Sequence, residues 1–154
     1  MFGLSKSTTY RDEQLGELRR SGKYWKGEIV VEPCGTFRLI LGGGRETPDP
    51  VALGLAKELP HRFKSLMRAT QIGLFEHYEP YKETIDAGEA TGSPCPIIVR
   101  PDGVWPHVTP AHVRVYELEG VTTVEVGLKA AWDVEHTLGA RFQNWQLIEL
   151  NGSV

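Results

Sequence analysis

Tyr24-Trp25-Lys26-Gly27-Glu28-Ile29-Val30-Val31 is rich in β-branched and aromatic residues, and Thr36-Phe37-Arg38-Leu39-Ile40-Leu41 alternates, with Phe37, Leu39 and Leu41 on one face. Between them, Glu32-Pro33-Cys34-Gly35 supplies turn residues. The two runs predict a β-hairpin with one apolar face. Such a face needs a covering layer, and the chain on either side has to supply it. Upstream, Met1 to Ser21 is less regular, and Tyr10 to Leu18 reads as an irregular arm or an edge strand.

Downstream the period changes. Gly42-Gly43-Gly44 breaks the strand, and Thr47-Pro48-Asp49-Pro50 is a helix start: Asp49 can cap free backbone N–H groups and Pro50 suits the first helical position. Val51, Leu55 and Leu59 recur every fourth residue, and Phe63, Leu66, Met67, Leu74, Phe75 and Tyr78 continue a helical stripe. Pro60 divides the pattern and Pro80 is expected to end it. Two helices or one kinked helix therefore cover roughly Pro50 to Glu79. Tyr81 to Ser93 is polar and reads as a loop.

The last third returns to strand: Pro96–Arg100, Ala111–Glu119, Val121–Ala131, Leu138–Phe142 and Gln146–Leu150, with turns at Glu119-Gly120, Asp133 to His136, and Gln143-Asn144. The expected fold is a single α+β domain over residues 1–154. Its antiparallel sheet, the hairpin plus the carboxy-terminal meander, would be covered by the helices.

Composition bounds the function. With 40% hydrophobic and 24% charged residues, the chain is an ordinary globular sequence and not a disordered one. A net charge of −3 argues against a general affinity for nucleic acid or anionic membranes. No apolar run approaches the ~20 residues that span a bilayer, and Met1 to Lys6 lacks a signal-peptide core, so a cytoplasmic location is expected. Cys34 and Cys95 form no Cys-x-x-Cys pair and read as free thiols.

Candidate sites gather at Trp132-Asp133-Val134-Glu135-His136. Two carboxylates and an imidazole within four residues could ligate a divalent metal or pair for proton transfer, although adjacent Glu135 and His136 would face opposite ways on an extended strand. Equally, Asp133 could hold the turn by accepting from backbone N–H groups. Trp132 is expected to be buried at the end of the sheet against the helix carrying Phe63 and Met67. Trp105, His107 and His112 form a second cluster without helical zinc spacing; Trp105 and His107 remain candidates for a partner surface. The glycine run followed by Arg45 lacks phosphate-loop spacing. His77 and Tyr78 read as helix-end packing.

The same string resembles a group of bacterial domains of unknown function. They share a carboxy-terminal tryptophan–aspartate–any–glutamate–histidine–glycine–any–glycine pattern, and some look like immunity-type companions of toxin systems. Trp132, Asp133, Glu135, His136 and Gly139 match, while Thr137 stands where the pattern has glycine. The resemblance covers about Val121 to Gly152 and implies no catalytic residue and no cofactor. The expected function is a non-enzymatic protein-binding domain, in its sharpest form an immunity-type partner of a toxin. The alternative is a metal-dependent enzyme using Asp133, Glu135 and His136.

Overall fold

The computed structural model describes residues 7–88 and 95–152. Strands β1 (Thr9–Asp12), β2 (Gly16–Ser21), β3 (Tyr24–Val31) and β4 (Gly35–Gly42) precede helix α1 (Pro50–Asp86). A 3-10 helix (Pro101–His107) then leads into β5 (Val108–Leu118), β6 (Val121–Ala130), β7 (Asp133–Gln143) and β8 (Gln146–Asn151). All eight strands form one sheet in chain order. Each pair is antiparallel except β4–β5, which is parallel and joins the two meanders edge to edge. A parallel join needs a crossover, and α1 supplies it.

The α+β layering is as expected, but the sheet is larger than a hairpin plus a meander. The arm before Ser21 is a further hairpin. Asp12 shapes its turn by accepting from the N–H groups of Gln14 and Leu15, at 2.8 and 2.9 Å. Asp12 also pairs with Lys57 of α1 at 3.1 Å, which ties this outer hairpin to the helix.

The helical layer is one helix of 37 residues. Asp49 caps it through the N–H of Ala52 at 2.9 Å, and Pro50 is its first residue. Its buried face is Ala52, Ala56, Leu59, Phe63, Leu66, Thr70, Leu74 and Tyr78, in steps of three and four. Val51 is exposed, so the first turn faces the sheet one residue later than the Val51–Leu55–Leu59 stripe suggests. Pro60 and Pro80 lie inside the helix and do not end it. An interior proline costs ~3 kcal/mol. Burying Phe63, Leu66, Leu74 and Tyr78 beyond Pro60 returns roughly 1.5–3 kcal/mol each, which outweighs that loss.

The expected strand Pro96–Arg100 does not form. Its place is taken by a single hydroxyl: Tyr78 donates to the carbonyl of Pro96 at 2.7 Å and accepts from the N–H of Ile98 at 3.0 Å. Only Ile98 of the apolar trio is buried; Ile97 and Val99 stand 84% and 76% exposed.

At the β4–α1 junction Gly43 has φ +157°, and a Cβ there would meet the Asp49 nitrogen and the Pro48 Cα at 2.6 and 2.7 Å. The glycine run thus serves a close backbone approach. Its Gly44 carbonyl accepts from the Trp25 indole at 3.0 Å.

Candidate functional site

On β3 to β7 every second residue faces α1 and is apolar: Trp25, Ile29, Phe37, Leu39, Val113, Val115, Val124, Val126, Leu128, Leu138 and Ala140 are all buried. The residues between them form the other face, which no element among the described residues covers. A sheet face open to water normally carries scattered solvated polar groups. Here the centre is different. Glu125, in the middle of β6, has no exposed surface. Its carboxylate accepts from His112 Nε2 at 2.8 Å, Tyr116 Oη at 2.9 Å and Arg141 Nε at 2.8 Å. Arg114 Nη2 lies 3.2 Å away.

Burial alone would push the Glu125 carboxyl up. The hydrogen bonds from His112, Arg141 and Tyr116, with the charge of Arg114, outweigh it and hold the pKa down to about 2. Arg141 continues the network to Glu149 on β8. Arg114 stacks on the Tyr116 ring at 4.2 Å. Glycine completes the arrangement, because the His112 ring lies where a Cβ of Gly127 would stand. Together these contacts gather His112, Arg114, Tyr116 and Arg141 into one plate around the Glu125 carboxylate.

Two depressions lie near this plate, the first against His112. One, of about 410 Å³, is lined by Glu28, Thr36, Arg38, His112, Lys129 and Thr137 among others. The second, of about 380 Å³, lies between the 3-10 helix and the start of β7 and includes His107, Asp133, Glu135 and His136. Lys129 and Thr137 line both, so the two depressions are neighbours.

The residues that follow Trp132 line the second depression. The turn is not Asp133 to His136; it is Ala131-Trp132, and Asp133 already pairs with Ala130. The next pair is Lys129 with Thr137, so Val134, Glu135 and His136 have no partner on β6 and form a bulge. Asp133 pins the bulge from beneath. Its carboxylate accepts from the His136 ring at 2.9 Å, and the nearby Tyr81 hydroxyl and His136 backbone N–H also favour its charged form. Burial opposes ionisation there, but these donors win and lower the Asp133 pKa. Val134 projects, 70% exposed.

Trp132 is 2% exposed and packs on the helix that carries Phe63 and Met67, but about three turns further along it. It packs edge-on to Tyr78 at 5.5 Å and donates to His77 Nδ1 at 3.0 Å. His77 must therefore carry its proton on Nε2, 3.9 Å from Asp133. Burial, more than Asp133 offsets, lowers the His77 pKa. So His77 and Tyr78 are mid-helix anchors and not helix-end residues. Phe63 instead meets Trp105, whose indole donates to Gln71 at 2.9 Å, so Trp105 belongs to the packing between α1 and the 3-10 helix.

Of the sequence candidates, the structure brings Asp133, Glu135, His136 and His107 to one depression, and leaves Trp132 and Trp105 in the packing behind it. Among the described residues, no three His, Cys, Asp or Glu side chains are placed to hold a metal ion. Cys34 and Cys95 are free, and burial raises both thiol pKa values, that of Cys34 to about 11. The sequence reading missed Glu125, Arg114, Tyr116 and Arg141. Their signal was present as a polar residue between apolar neighbours on each strand, but only the register shows that they meet.

Fold and site define a two-layer α+β domain with one helix-covered face and one pre-organised polar face. The chain belongs to the family described as Domain of unknown function (DUF6985), which it matches over residues 14–153. No curated protein and no solved structure matches it. No helix among the described residues is long and apolar enough to cross a membrane.

Proposed function

We propose that this chain is a non-enzymatic protein-binding domain that docks its partner on the open face of the sheet. One observation carries the reading: the plate of His112, Arg114, Tyr116 and Arg141 is locked on a fully buried Glu125, on a face left uncovered among the described residues. Arginine and tyrosine are the residue types that carry binding energy in protein interfaces. Fixing their rotamers in advance lowers the entropy lost on docking. The bulge at Val134, Glu135 and His136 adds a projecting edge with one apolar and two polar side chains.

In its sharpest form the domain is a cytoplasmic bacterial immunity-type protein that neutralises a toxin. The test is to co-express the chain with the product of the adjacent gene and measure their affinity. Val134→Asp on the bulge should weaken binding at least tenfold, about 1.4 kcal/mol, with little change in the unfolding midpoint, whereas Arg114→Glu on the plate should weaken binding as much and also lower the midpoint, because it sets a second carboxylate against buried Glu125. Undiminished binding by both variants would remove the open face as the docking surface. An adjacent gene product that neither binds nor harms a host cell would remove the immunity form.

A further inference from the structure

The depression beside the plate has a chemistry of its own. Arg38 and His112 are register partners on the parallel β4–β5 pair, and Lys129 stands on the next strand, opposite Thr137. All four line the 410 Å³ depression, with Thr36. Among the described residues neither Arg38 nor Lys129 has a carboxylate within ion-pair distance. By contrast, Arg114 and Arg141, on the same face of the sheet, are both committed to Glu125. His112 is held by its Nε2 on that same carboxylate and cleared beneath by Gly127, so its ring cannot turn away from the depression. The opposing charge at the rim is Glu28, the register partner of Arg38 on β3.

We infer that this depression is a binding site for an oxyanion, a phosphate or carboxylate group, held between Arg38 and Lys129 with the hydroxyls of Thr36 and Thr137 as further donors. Two uncommitted cations and two hydroxyls around one concavity supply the charge and the hydrogen bonds that such a group needs. A depression of this size lies in the range of small-molecule sites, so the anion can be carried on a larger molecule. The chain as a whole is negative, which makes a local positive concavity on it selective for position and not a general attraction for anions. The site does not depend on the protein-binding reading, and its test uses no protein partner.

The test is titration of the whole chain with inorganic phosphate and, separately, with succinate, at constant ionic strength, following backbone amide shifts by NMR. Saturable shifts confined to Arg38, His112, Lys129 and their neighbours are expected for at least one of the two, and the tighter one names the group. Arg38→Gln and Lys129→Gln should each weaken that binding about fivefold, the change expected from one exposed charge contact. Glu28→Gln removes the opposing charge and should tighten it. Arg68→Gln, on an exposed part of α1, should leave it unchanged. Linear shifts spread over all cationic residues, saturation at another site, or equal affinity in all four variants would overturn the inference.

Discussion

The two faces of the sheet are built from the same strands and held by opposite physics. Towards α1, the strands present Val113, Val115, Val124, Val126 and Leu128, each buried. Apolar burial is non-directional, so each side chain contributes on its own and neighbours can adjust. Away from α1, the alternating residues His112, Arg114, Tyr116 and Glu125 are joined by directed hydrogen bonds and ion pairs. A buried carboxylate stabilises only while its donors are all present; a partial set leaves a charge uncompensated. The helix face therefore makes the domain stable, and the open face makes one particular surface.

The largest effect should come from the helix face. Trp132→Ala removes a 2%-exposed indole and the donor to His77, and should cost about 3–5 kcal/mol in urea unfolding. A marginal loss of stability with loss of partner binding would instead put Trp132 in a contact surface. On the open face, Glu125→Gln should cost about 3 kcal/mol, the low end for breaking a buried pair, because Arg114 keeps a 38% exposed side chain and can turn to water.

These two losses differ in their pH dependence, which sharpens the comparison. The folded pKa of Glu125, about 2, lies below its ordinary 4.5. Its stabilisation is therefore complete above the unfolded value and is lost as pH falls from about 4.5 through about 2. Wild type and Trp132→Ala should lose stability together across that window. Glu125→Gln should lose less there, so that its deficit against wild type narrows in acid. A deficit constant down to pH 2 would show that Glu125 is not the ionised centre of the plate.

Gly127→Ala should fall below both. Its methyl group would take the space of the His112 ring, and overpacking of this kind costs typically 1–3 kcal/mol. The diagnostic is where the damage appears: the His112 ring resonances should shift while the helix-side core stays intact. An unmoved His112 would mean that the plate is softer than its hydrogen bonds imply.

How much of this the sequence discloses follows the same division. The hairpin Tyr24–Leu41, the Asp49 cap and the strands after Val108 are set by local periodicity and turn chemistry, and they read directly. What local pattern could not settle was set by tertiary burial. One apolar stripe carries α1 through Pro60 and Pro80, and one Tyr78 hydroxyl replaces the strand expected at Pro96–Arg100. The open face was illegible for a different reason. A glutamate between Val124 and Val126 looks like any solvated strand residue until register places two arginines, a histidine and a tyrosine around it. At Trp132–His136 the residue types were visible, but the turn was placed two residues too late, since three unpaired residues within a strand look like a loop.

That bulge offers the smallest effect and the closest test of what the second face is for. Val134, Glu135 and His136 leave the ladder, so backbone pairing with β6 cannot fix their shape. The observed substitute is Asp133, which accepts from the His136 ring. Asp133→Ala should cost about 1–2 kcal/mol, a charged hydrogen bond whose donors can in part return to water. Asp133→Asn keeps one acceptor oxygen and the shape, and should cost less than half as much. The Asp133 pKa is lowered, so its contribution is present above the unfolded aspartate value and disappears as pH falls through the folded one. Asp133→Ala should thus approach wild-type stability in acid, as measured by urea unfolding across pH. If both substitutions leave unfolding unchanged, Asp133 does not hold the bulge. If stability survives while partner affinity falls in both variants, Asp133 serves the docking surface itself and the line between scaffold and site moves one residue inward.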